Sequence, residues 1–240
     1  MPDLHSPSPI EPAITKAYGR SVGFFNARTV AALLFVLALV TAVNPAQAEP
    51  AKILAFGDSL TAGYGLPPEE SFTEQLEQAL RAAGQDVVVQ NAGVSGDTTA
   101  GGRARLAWTL ADRPDLVILE LGGNDGLRGI DPADTRANLD AMLNELKTRN
   151  IPVLFTGMRA PPNLGRDYTD EFDGLFAALA QKYDVPLYPF FLDGVAAQPK
   201  LNQPDGIHPN AAGVAIIVER LKPYVIAALN GDRPATAKTN

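Results

Sequence analysis

A chain of 240 residues with 46% apolar content is long enough to bury one sizeable core. It has no cysteine, which removes disulfides, thiolate metal sites and a cysteine nucleophile together, and only His5 and His208 can supply imidazole chemistry. A formal charge of −7 with no basic run argues against nucleic acid and against electrostatic anchoring to a membrane.

The N-terminal segment reads as a separate object. Residues 29–43 form a charge-free apolar run, preceded by Arg20 and Arg28 and followed by Asn44-Pro45-Ala46-Gln47-Ala48-Glu49. Such a run is short for a bilayer span of about 20 residues, and Ala46 and Ala48 supply the small side chains of an A-x-A cleavage site. Residues 1–48 are therefore expected to be a secretory signal peptide. Residues 49–240 are then a periplasmic or secreted domain with no stable membrane insertion after cleavage. An uncleaved membrane anchor is the alternative for the same run. Cleavage would leave His208 as the sole histidine.

Ile53-Leu54-Ala55-Phe56 reads as a strand buried on both faces that runs into a turn at Gly57-Asp58-Ser59, with Gly57 easing the turn. Ser71-Phe72-Thr73-Glu74 has capping-box spacing, and Phe72, Leu76, Ala79, Leu80 and Ala83 recur at helical spacing before Gly84. A second strand, Val87-Val88-Val89, ends in Asn91-Ala92-Gly93-Val94-Ser95-Gly96-Asp97, and a helix is expected through Ala104, Leu106, Ala107, Trp108 and Leu110. A third strand, Leu116-Val117-Ile118-Leu119, ends in Gly122-Gly123-Asn124-Asp125-Gly126; Pro132 then opens a helix through Leu139, Met142, Leu143 and Leu146. The fourth strand is Val153-Leu154-Phe155, followed by the loop Pro161-Pro162-Asn163-Leu164-Gly165 and a helix through Phe172, Leu175, Phe176 and Leu179. Val185-Pro186-Leu187-Tyr188 is a short last strand whose proline suits a sheet edge, and a final helix follows Asp205-Gly206-Ile207-His208-Pro209-Asn210 to near Leu229, with a frayed tail beyond. This alternation predicts a single doubly wound α/β domain with a parallel sheet.

In that architecture the strand exits converge on one edge, so Ser59, Gly93, Asn124, Asp205 and His208 are expected to meet there. Serine ester hydrolysis needs a nucleophile, a base, a group that orients the base, and donors for the oxyanion. Ser59 fits the first role, His208 the second and Asp205 the third. The amides of Ser59 and Gly93 and the side-chain NH₂ of Asn124 fit the oxyanion hole. Each also has a purely structural reading taken alone: Ser59 as a helix N-cap, His208 as a helix-start residue, Gly122-Gly123-Asn124 as a turn. Gly93-Val94-Ser95-Gly96-Asp97 ends in Asp where a G-x-S-x-G elbow needs Gly, so Ser95 is not the candidate. Arg103, Arg105 and Arg128 read as solvated surface. No phosphate-cradling or metal-spaced motif is present.

The set Gly57-Asp58-Ser59-Leu60, Gly93, Gly123-Asn124-Asp125 and Asp205-Gly206-Ile207-His208-Pro209 resembles the four blocks of the SGNH (GDSL) hydrolase superfamily. Within it, Ser95-Gly96-Asp97-Thr98-Thr99, Leu119–Gly129 and Asp184-Val185-Pro186-Leu187 with Pro189-Phe190-Phe191 are similar to the bacterial thioesterase I / protease I / lysophospholipase group and its arylesterases. The resemblance runs from about Ile53 to Leu229. It implies a flavodoxin-like three-layer α/β/α sandwich with a five-stranded parallel sheet, no cofactor and no metal, and cleavage of small-molecule acyl esters and thioesters. Ser59, Asp205 and His208 carry over as the triad, and Gly93 and Asn124 as oxyanion donors. Leu127, Ile130 and Leu164, on loops beside the expected catalytic edge, are the candidates for substrate contact. A monomer is expected. A carbohydrate O-acetylesterase of the same superfamily and a non-catalytic binding module are the competing readings.

Overall fold

The computed structural model describes residues 49–232, together with Asn26. The expected signal peptide and the tail beyond residue 232 lie outside the described residues, Asn26 apart.

Five strands form one parallel sheet: β1 (Ala51–Gly57), β2 (Val87–Gly93), β3 (Leu116–Glu120), β4 (Val153–Thr156) and β5 (Leu187–Tyr188). Their spatial order is β2-β1-β3-β4-β5. The chain therefore lays β2 on one side of β1 and then crosses to lay β3 on the other. A topological switch lies between the carboxyl ends of β1 and β3, where open α/β sheets leave a crevice. β3 is buried at every position and β1 along its last five, which is why both are near-continuous apolar runs without alternation. Pro186 flanks the edge strand, where its missing N–H costs no ladder bond, and its carbonyl accepts from Phe155 N.

Among the described residues seven α-helices flank the sheet: α1 (Ser59–Ala62), α2 (Phe72–Ala82), α3 (Thr99–Thr109), α4 (Gly123–Arg128), α5 (Pro132–Thr148), α6 (Arg166–Tyr183) and α7 (Ala211–Leu229). α2 packs on α7, while α5 packs on both α3 and α6, giving the two outer layers of the sandwich. The starts follow local chemistry. Ser71 Oγ accepts from Glu74 N at the head of α2, Thr98 Oγ1 from Gly101 N at α3, and Asp131 Oδ1 from Ala133 N at α5, where Pro132 takes the first position. Phe56, Phe72, Phe155, Phe172, Phe176 and Phe191 are the largest side chains wholly enclosed between the layers.

Two short helices fall where the sequence suggested only turns. α1 begins at Ser59 itself, with Asp58 as its N-cap accepting from Leu60 N. α4 runs through the glycine-rich block after β3 and ends on Gly129 in the left-handed region. Gly57 eases the turn because it has no Cβ to clash: it has no positive φ, but a Cβ there would lie 2.1 Å from Thr61 Oγ1 and 2.4 Å from Glu120 Oε2.

Candidate active site

Ser59 follows β1, and Asp205 and His208 sit on the loop before α7. The switch crevice brings them together. Ser59 Oγ lies 2.9 Å from His208 Nε2, and His208 Nδ1 lies 2.7 Å from Asp205 Oδ2. Asp205 does two jobs at once. Its Oδ1 accepts from Ile207 N and His208 N, each at 3.0 Å, so the same carboxylate folds the loop and holds the imidazole. Those backbone donors, then the ring contact, lower its pKa to about 2, leaving it ionised wherever the histidine can act as a base. The loop is tied to the Ser59 side by Gln203, which donates to Tyr64 O and Pro209 O and whose own N–H donates to His208 O. The Tyr64 ring packs on the His208 ring with centroids 4.6 Å apart.

Asn124, the second residue of α4, reaches the same crevice. Its Nδ2 donates to Asp58 Oδ2 at 3.0 Å and its Oδ1 accepts from Arg128 at 3.4 Å. The amide is thus oriented from both ends, with one N–H still free to point into the cavity. Asp58 is nearly enclosed, and burial pushes its carboxyl up to about 6 against the pull of the Leu60 N–H and Asn124.

Gly93 does not take the expected place. Its N–H donates 2.9 Å to Asn91 Oδ1, and a Cβ on it would lie 2.2 Å from Ala62 N. It is glycine because α1 crosses over it. In the loop that follows, Ser95 and Gly96 line the cavity; Gly96 is in the left-handed region at φ 82°, and no acceptor within the protein meets its N–H among the described residues. The Ser59 N–H is likewise without an acceptor.

Two arginines expected on the surface hold this loop instead. Arg105 is half-buried, donating to Asp97 Oδ2, Ala92 O and Gly57 O at 2.7, 2.8 and 2.9 Å, with its guanidinium 4.0 Å from the Phe56 ring centroid. Arg128 donates to Gly96 O at 2.9 Å. Arg103 stays exposed, touching Asn138. Asp125 is structural: buried, it accepts from Thr99 N and from Thr99 and Thr135 hydroxyls, pinning the start of α3 to α4.

The crevice opens into a cavity of about 510 Å³. Leu127 lines it, as expected, but Ile130 and Leu164 do not. Because α4 extends to Arg128, Ile130 falls past its end, and its carbonyl accepts from Tyr168 Oη. The apolar wall also takes in Pro161 and Pro162 of the expected loop, Phe190 and Ile207 from the motif blocks, and residues no expectation named: Met158 and Ala160 after β4, and Leu192, Ala196 and Ala197 after β5. Among the described residues no group of His, Asp and Glu side chains is gathered to hold a metal ion.

A nucleophile-base-carboxylate relay on a sheet of this order defines a hydrolase of the flavodoxin-like type. The sequence profile of the GDSL-like Lipase/Acylhydrolase family matches residues 55–216. The chain is 42% identical over 187 residues to an arylesterase of Vibrio mimicus, covering 78% of this chain and 94% of that protein. It is 38% identical over 181 residues to thioesterase 1/protease 1/lysophospholipase L1 of Escherichia coli (strain K12), covering 75% of this chain and 86% of that one. Among solved structures, AlinE4, an SGNH-hydrolase family esterase, is 54% identical with a TM-score of 0.64, covering 75% of this chain and 97% of that chain. The protein belongs to the GDSL (SGNH) lipase/acylhydrolase family and is a serine ester hydrolase.

Proposed function

We propose that this is an exported esterase hydrolysing acyl and aryl esters and thioesters of short to medium chain through an acyl-enzyme on Ser59. One observation carries the reading: the unbroken relay Ser59 Oγ–His208 Nε2, His208 Nδ1–Asp205 Oδ2 at the mouth of an apolar cavity. Neutral His208 takes the Ser59 proton as Oγ attacks the carbonyl carbon, and Asp205 holds the Nδ1 tautomer and balances the imidazolium. The oxyanion is met by the Ser59 N–H, the Gly96 N–H and the free N–H of Asn124. Protonated His208 then gives its proton to the leaving alcohol or thiol, and water repeats the sequence on the acyl-enzyme. The apolar wall receives the acyl or aryl group and leaves the polar leaving group at the open rim. The printed names of the relatives, arylesterase and thioesterase 1/protease 1/lysophospholipase L1, support this substrate range.

The test is covalent labelling with a fluorophosphonate followed by an acyl-chain panel. Labelling at Ser59, its loss in Ser59→Ala, and a kcat reduced by about 10²–10³ in Asn124→Ala with KM little changed are expected. Turnover confined to acetyl esters means an O-acetylesterase instead. Export rests on the segment 1–48, and the intact mass of the exported protein, expected to begin at Glu49, checks it.

A further inference from the structure

Glu120 closes β3 with no exposure at all, and the chemistry proposed above does not use it. Continuing the register that pairs Phe56 with Leu119 sets it beside Gly57. Its Oε2 accepts from Thr61 Oγ1 at 2.8 Å and from Asp58 N at 3.3 Å, one residue before Ser59 and two after it. The space it fills is the one that Gly57 leaves empty. Its other oxygen, Oε1, is buried without a partner.

The groups that face this carboxyl explain its state. Asp58 approaches from the turn as a second acid. Arg105, from α3, spends its donors on Asp97 Oδ2, Ala92 O and Gly57 O, and on the β4 side Thr156 donates to Leu119 O. Among the described residues no cation bonds Glu120. An ionised carboxylate would leave Oε1 bare in the core, a heavy penalty, whereas a neutral acid carries its proton there and keeps Oε2 as the acceptor. Burial, then the charge of Asp58, push its pKa well above the usual carboxylate range in the same sense.

We propose that Glu120 is a positioning residue for the reaction: a neutral carboxyl that fixes the turn carrying Ser59 through Thr61 Oγ1 and the Asp58 N–H. The turn needs such a hold. α1 is four residues long, too short to be stable by itself, yet it must keep Oγ at hydrogen-bond distance from His208.

The inference rests on Ser59 as the nucleophile, so fluorophosphonate labelling of the parent is the control; failure there sinks the site reading rather than Glu120. Misplacement of a reacting group by about 1 Å costs on the order of 10²-fold, so Glu120→Ala is expected to lower kcat roughly 10- to 100-fold with KM near that of the parent. Glu120→Gln keeps a carbonyl for the two donors and recovers most of that loss. Thr61→Val, close to isosteric and independent of whether Glu120→Ala folds, also lowers kcat without changing KM. The infrared difference between the parent and Glu120→Gln, recorded at a pH above the ordinary carboxylate range, is expected to contain the band of a protonated carboxyl. A Thr61→Val protein with parental kcat, a Glu120→Gln protein as impaired as Glu120→Ala, or ionised carboxylate bands in that difference would each overturn the proposal.

Discussion

Asp58 shows how one side chain can link the fold to the acid limb of activity. As a carboxylate it accepts from Leu60 N with one oxygen and from Asn124 Nδ2 with the other, and protonation takes away one of those acceptors. The acid limb of kcat/KM is therefore expected to contain the ionisation of Asp58 at about 6. Asp58→Asn turns an amide NH₂ or a lone oxygen toward groups that need two acceptors, so kcat falls and the acid limb loses the ionisation near 6. The sign for stability runs the other way. Its folded-state value lies above the ordinary 3.8, so its contribution is complete below that pH and is lost as pH rises through about 6. Urea denaturation across that window is expected to show less pH dependence in Asp58→Asn than in the parent. Asp205, lowered to about 2, contributes above 3.8 and loses that contribution only as pH falls toward 2, which keeps it out of this window.

At the scale of elements, long periodic segments were readable and short glycine-rich ones were not. α2 and α5 begin where their caps predict, because a side-chain oxygen meeting an orphan N–H is a local event. α4 has no such signal: Gly122, Gly123 and Gly126 disfavour helix, and it exists because buried Asp125 ties it to Thr99 and Thr135. Missing α4 misplaced Ile130, which falls past its end. Leu127 stays on the cavity wall while Ile130 turns away. Leu127→Trp is accordingly expected to shift the acyl-chain profile toward shorter esters, whereas Ile130→Ala and Leu164→Ala leave it unchanged. A panel of p-nitrophenyl esters reads this, and an unchanged profile in Leu127→Trp would place the acyl group elsewhere.

For the whole molecule, the site is a property of strand order and of one long return. The order β2-β1-β3-β4-β5 makes the ends of β1 and β3 neighbours and so brings Ser59 beside Asn124, while His208 reaches them from beyond the edge strand β5 on the loop before α7. The central strand β3 carries this arrangement, so a cavity there should weaken it globally. Ile118→Ala, at a fully buried position, is expected to cost about 2–5 kcal/mol, measured as a lower denaturation midpoint with a single cooperative transition. The sequence alone determined the α/β alternation, the parallel sheet and the triad candidates, because hydrophobic period and residue chemistry are written locally. Even the edge position of the last strand followed from Pro186. Which amide faces the oxyanion was decided only in three dimensions. Gly93 ends β2 and Gly96 lies three residues beyond it, but α1 crosses over the first and the second lines the cavity. The same holds for Arg105, Arg128 and Glu120. A charged residue in a sequence reads as solvated, and only packing reveals that Arg105 binds two carbonyls and Asp97, or that Glu120 fills the hole left by Gly57. Local pattern fixes what a segment is, while long-range packing fixes what each of its polar atoms must satisfy.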